Sequence, residues 1–151
     1  MSAAGKDNAV FEAITPAMAA RMQALEAMDA ADRSDGTPHA KRLRQIPPET
    51  GRFLAILAAS APAGNLVEVG TSAGYSALWL SLACRARGDV LWPCAAQLAG
   101  RLVPGGILTA DNVISHAHEI PGVAERILAD PRLDGVVVPI GSGVLLARRR
   151  A

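Results

Sequence analysis

Aromatic residues are scarce in this sequence: two tryptophans, two phenylalanines and one tyrosine, 3% of the chain. A core must therefore be assembled from Ala, Leu, Val and Ile. Charge of one sign is lacking too. The formal net charge is +1, which leaves no field for holding nucleic acid. The short basic clusters at 41–44 and 148–150 read as a solvated face and tail. Of cysteine there are only Cys84 and Cys94, without metal-ligand partners at standard spacing, so a reduced, cytoplasmic protein is expected. No run approaches the roughly 18 apolar residues of a membrane span, and the first residues, with Lys6 and Asp7, contain no apolar signal core. Neither secretion nor a membrane partner is expected.

What is present suits a single domain: 151 residues, half of them apolar, enough to bury about two-thirds of the unfolded surface. The pattern centres on 65–80, NLVEVGTSAGYSALWL. Residues 65–69 read as a short buried strand carrying Glu68. Gly70-Thr71-Ser72-Ala73-Gly74 reads as a turn, and from Tyr75 the spacing of Leu78, Trp79 and Leu82 is helical. Strand, glycine turn and helix together present backbone N–H groups to a polar ligand.

Before this unit, residues 7–31 carry a helical stripe of Val10, Phe11, Ile14, Met18, Met22, Leu25 and Met28, interrupted by Pro16. Residues 32–38 form a turn-rich linker. Pro47-Pro48-Glu49 opens a helix bearing Phe53, Leu54, Ile56 and Leu57, which stops near 61–64. After residue 87, only 90–92 resembles a strand, and it is very short. Residues 93–103 look helical, and Pro104-Gly105-Gly106 turns into a second buried strand, 107–110. That strand ends in Asp111-Asn112, polar groups at a carboxyl end where α/β sheets place ligands. A short helix over 119–130 and an antiparallel hairpin (136–140 with 144–147) complete the chain.

Three chemistries use such a glycine turn. A P-loop needs a lysine that is missing here. The dinucleotide fingerprint fails because positions 72 and 75 are Ser and Tyr. Residues 70–74 do fit G-x-S-x-G, so a serine hydrolase would use Ser72, with Asp111 and then His116 or His118 in order. Against it, the turn follows the first strand, and no HGGG-like oxyanion segment is present.

Segments 46–54 (IPPETGRFL) and 66–80 (LVEVGTSAGYSALWL) resemble the start of class I S-adenosylmethionine-dependent O-methyltransferases of the catechol and caffeoyl-CoA type. Segment 103–113 (VPGGILTADNV) is similar to that family's fifth strand, and 131–141 (PRLDGVVVPIG) to its final hairpin. The resemblance implies an α/β, Rossmann-like sheet with a helical cap over 1–63 and a core over 64–151. It implies that Glu68, Gly70, Thr71 and Ser72 line the methionine end of S-adenosyl-L-methionine, with Tyr75 and Ser76 meeting its carboxylate. It implies that Asp111 and Asn112 are oxygen ligands of a divalent cation, usually Mg²⁺, which orients a small hydroxylated acceptor for methyl transfer. His116 and His118 are read as surface residues.

The family's sheet runs 3-2-1-4-5-7-6, and the stretch between 87 and 92 has no room for strands two to four, since two βα units need about 60 residues. An incomplete sheet of about four to five strands is expected, its first strand either an open edge or paired with the fifth. Asp89 precedes its apolar run instead of ending one and is not assigned to the cofactor ribose. The metal-binding Asp of strand four and the Lys that accompanies it have no counterpart, so a catalytic residue is not assigned. Exposed apolar surface at the shortened sheet points to a homodimer. A non-catalytic remnant or oligomerisation subunit is the alternative of a different class.

Overall fold

The computed structural model describes residues 10–68, 72–87, 91–93 and 102–151. Thr15 accepts a hydrogen bond from the Met18 N–H at 3.2 Å, and Pro16 takes the first helical position, where its missing N–H is harmless. The interruption expected at Pro16 is therefore a helix start. A short 3-10 turn, Val10–Ala13, precedes it, and α1 runs Pro16–Ser34. Met22 and Leu25 of the expected stripe are buried, whereas Met28 is half exposed.

Helix α2, Pro48–Ser60, follows Pro47 and buries Thr50, Gly51, Leu54, Ala55 and Ala58. Of the apolar residues read on this helix, Leu54 faces inward, whereas Ile56 faces outward at 49% exposure. Helix α3, Tyr75–Arg87, is the main neighbour of α2. Tyr75, Trp79 and Leu82 of α3 join Met22 and Leu25 of α1 and Ala55 of α2 in one core. Leu25 and Leu82 are fully buried, each stabilising the fold by about 1.5–3 kcal/mol relative to exposure. The Trp79 ring meets Phe11 edge-on at 6.1 Å and Tyr75 at 6.3 Å, geometries that ring quadrupoles favour. Arg52 sits 5.9 Å over the same indole.

Strand β1, Leu66–Glu68, pairs in parallel with β2, Leu91–Pro93, with Leu66 opposite Leu91 and Glu68 opposite Pro93. The expected pairing of the first strand with the fifth is not formed; among the described residues β1 pairs on one side only, so its other side is an edge. Residues 91–93 suffice as a strand because α3 supplies the crossover that parallel pairing requires. Strands β3, Ile107–Ala110, β4, Leu133–Val138, and β5, Val144–Arg149, form a second sheet in the order β3-β5-β4, antiparallel throughout. The hairpin is longer than expected. Helix α4 is shorter, Val123–Leu128, and starts behind the left-handed Gly122. Of the helix expected over 93–103, residues 94–101 lie outside the described residues. Among the described residues no helix is long and apolar enough to cross a membrane.

Gly51 is where α2 and α3 touch most closely, since a Cβ there would run into the Trp79 indole. Glycine inside a helix usually costs about 0.5–1 kcal/mol relative to alanine, but overpacking costs about 1–3 kcal/mol. The second effect wins, so Gly51→Ala should lower stability by about 1 kcal/mol in a chemical denaturation titration. A stabilised variant would show that Trp79 does not pack on α2.

Candidate active site at the carboxyl ends of the strands

Glu68 closes β1 and is buried at 9% exposure. Its Oε2 finds no hydrogen-bond partner among the described residues. A buried carboxylate oxygen left unpaired is costly, and the strand end holds it where the glycine turn begins. Gly70 and Thr71 lie outside the described residues. Ser72 adopts a left-handed backbone at φ 49°, a conformation a serine rarely takes and which costs of the order of 1 kcal/mol or more. Its hydroxyl donates to the Leu43 carbonyl at 2.8 Å, tethering the turn to the whole segment between α1 and α2, residues 35–47, called the linker from here on. Gly74, at φ 89°, is suited to that region because it has no Cβ. Its carbonyl accepts from the Leu78 N–H at 3.1 Å, opening α3.

Tyr75 and Ser76 stand on the first turn of α3, where backbone N–H groups lack intrahelical partners. The side chain of Tyr75 is used elsewhere. It is buried, and its phenol donates to Glu26 Oε1 at 2.5 Å. Burial, and then this hydrogen bond, push the phenol up to about 12. What Tyr75 can offer a ligand is its backbone N–H.

At the end of β3, Asp111 has one buried oxygen, Oδ1, without a partner among the described residues. Burial raises its carboxyl above the usual range, against the lowering effects of the Asn112 N–H and the nearby His116. Asn112 is left-handed at φ 68°, which asparagine tolerates better than most residues, and its carbonyl accepts from the His116 N–H at 3.2 Å. The loop beyond is held by the hairpin turn: the Ile114 and Ser115 N–H groups both donate to the Ser142 carbonyl.

The linker connects these two strand ends. Leu43 receives Ser72, and its neighbour Arg44, also left-handed at φ 51°, reaches Glu119 beyond β3 at 3.1 Å. The hydrolase arrangement is not formed. The Ser72 proton goes to a carbonyl rather than an imidazole, while Ser115 Oγ lies 2.7 Å from His116 Nδ1 and Glu119 faces His39 and His118. The residues that sequence reasoning missed are Leu43, Arg44, His39 and Glu119. The one-turn spacing of His116 and Glu119 was visible, but nothing local announced His39 or Arg44.

Neither a protein-family model nor a curated protein matches the sequence. Solved structures do match its architecture. A methyltransferase from Geobacter sulfurreducens superposes with a TM-score of 0.53 at 16% identity, over 90% of this chain and 98% of that one. The chain has an α/β, methyltransferase-like fold. A Corynebacterium glutamicum protein superposes with a TM-score of 0.49 at 15% identity, over 90% and 98% of the two chains. The described strands of this chain lie in two sheets, β1-β2 and β3-β5-β4. The fold is truncated.

Tyr75 is the sole tyrosine, so phenolate absorbance reports it alone. It should titrate near 12 in the folded chain and near about 10 in denaturant. A folded pKa raised above the unfolded one means a contribution to stability that is full below the unfolded value and lost as pH climbs through the folded value. Glu26→Ala should lower the folded midpoint. A midpoint near 10 in folded wild type would refute the buried donor.

Proposed function

We propose that the chain binds S-adenosyl-L-methionine at the end of β1 and transfers its methyl group to the hydroxyl oxygen of a small acceptor. The observation that carries this reading is Glu68 Oε2, buried and without a partner among the described residues at the end of β1. A carboxylate in that position suits an ammonium group, which would supply the charge-assisted bonds the site lacks. The first N–H groups of α3, at Tyr75 and Ser76, suit a carboxylate through their orientation and the helix dipole. The cofactor supplies an electrophilic methyl carbon on its sulfonium sulfur. The protein's part is to hold that carbon and the acceptor oxygen in line, a positioning effect that supplies much of the rate.

Asp111 and Asn112 offer hard oxygen donors for Mg²⁺ or a similar divalent cation, and Asp111 Oδ1, without a partner among the described residues, fits that use. The pair would share the ion with water and acceptor. The ion would lower the pKa of an acceptor hydroxyl. A cytoplasmic location belongs to this reading through the two cysteines. Residues 1–63 would form the helical cap and 64–151 the core. The second reading, a non-catalytic homodimer subunit, draws on the exposure of Val136 and Ile114, each 53%.

Calorimetric titration with S-adenosylmethionine tests the first reading. Micromolar binding is expected, weakened at least about tenfold by Glu68→Gln, which keeps the shape and removes the charge; such a loss corresponds to about 1.4 kcal/mol. A folded chain with no detectable binding would sink methyl transfer. Binding that Glu68→Gln leaves unchanged would remove Glu68 from the site.

A further inference from the structure

The loop beyond β3 brings a second group of side chains together. His39, on the 3-10 turn His39–Lys41, meets His116 and Glu119, and one potential ligand atom from each lies within 4.8 Å of the other two. The His39 and His116 rings are stacked, 6.3 Å apart and 12° from parallel. Glu119 divides its carboxylate: Oε2 takes Arg44 at 3.1 Å, while Oε1 lies 3.7 Å from His39 Nε2 and 4.0 Å from His118 Nε2.

We propose that His39, His116 and Glu119 bind a zinc-type transition-metal ion, with the remaining coordination left to water. Two imidazoles and one carboxylate around an open position are a ligand set that Zn²⁺ accepts, with bonds of about 2.0–2.2 Å. Imidazole nitrogens favour Zn²⁺ and its transition-metal neighbours over Mg²⁺. Tetrahedral ligand atoms at those bond lengths stand about 3.4 Å apart, so the His39–Glu119 spacing of 3.7 Å needs little adjustment. Supporting contacts are in place as well: Ser115 Oγ lies against His116 Nδ1 at 2.7 Å, and Arg44 holds the far oxygen of Glu119. Groups behind the ligands in this way orient metal-bound histidines and carboxylates. His39 is half exposed, its side chain 52% accessible, which gives an ion a way in. Bound there, the ion ties the linker before α2 to the loop after β3. The site adjoins Asp111-Asn112 but shares no residue with it, and it does not rest on methyl transfer.

The test uses the full, metal-free chain without S-adenosylmethionine, titrated with Co²⁺ and then Zn²⁺. The expected result is one equivalent of Co²⁺ bound with visible d–d absorption, displaced by Zn²⁺, and a rise in melting temperature as Zn²⁺ is added. Single variants His39→Ala, His116→Ala and Glu119→Gln, checked for folding by circular dichroism, should each weaken binding at least about tenfold. Asp111→Asn should leave the absorption unchanged. The proposal is overturned if folded wild type takes up no stoichiometric ion, or if the double variant His39→Ala/His116→Ala binds as wild type does. It is equally overturned if Asp111→Asn, and not the histidine variants, removes the absorption. None of these failures bears on S-adenosylmethionine binding, which the calorimetric titration decides separately.

Discussion

The packing of Trp79 and Tyr75 on α3 is the interaction on which the rest of the structure depends. In a chain so poor in aromatic residues these two are buried in one core. Both neighbouring helices are shaped to receive them: α2 by leaving Gly51 beneath the indole, and α1 by extending Glu26 to the phenol. Because Tyr75 is also the first residue of α3, the core contact fixes the position of the helix N-terminus. The glycine turn is thus held from the core side by Tyr75 and from the linker side by the Ser72–Leu43 hydrogen bond.

That two-sided hold gives the candidate site its character. Glu68 and Asp111 each keep a buried oxygen without a partner among the described residues. Three non-glycine residues, Arg44, Ser72 and Asn112, take left-handed backbones at or beside the same loops. Unsatisfied polar atoms and local strain lower stability unless the surrounding structure enforces them, and they concentrate where a ligand is bound. The linker is the enforcing element. Gln45 bonds through its amide nitrogen to the Leu25 carbonyl of α1 at 2.7 Å, Leu43 N–H donates to Asp32 at 2.9 Å, and Arg44 continues to Glu119. One short segment therefore connects α1, the turn after β1 and the loop after β3.

Shortening of the sheet changes its edges more than its order. The antiparallel β3-β5-β4 unit is continuous, whereas β1 and β2 form a separate two-stranded pair. A pair of three-residue strands has little ladder of its own, so its stability comes from α3 packing against it. The sheet also leaves an open groove of about 300 Å³ lined by Leu57, Ile107, Val136 and Leu146, with Asp134 and Arg148 at its side.

Periodicity and local chemistry were sufficient to read the strand–glycine turn–helix unit, the hairpin and the helix opened by Pro47-Pro48, because each depends on residues close together in the chain; the class of fold came from the family resemblance of those segments. Glu68, Ser72 and the Asp111-Asn112 pair could be picked out for the same reason: they sit at strand ends marked by their own neighbours. The pairing of β1 with residues 91–93 could not be read, since a three-residue strand carries almost no periodic signal and is decided by what lies beside it. Nor could the burial of Tyr75 against Glu26, the tether from Ser72 to Leu43, or the meeting of His39 with His116 and Glu119. By itself the sequence determined which elements form and which residue types stand at their ends. Only the tertiary structure decided which of those side chains are consumed in holding the core and which are left, buried or clustered, for a ligand, because that division depends on contacts between residues far apart in the chain.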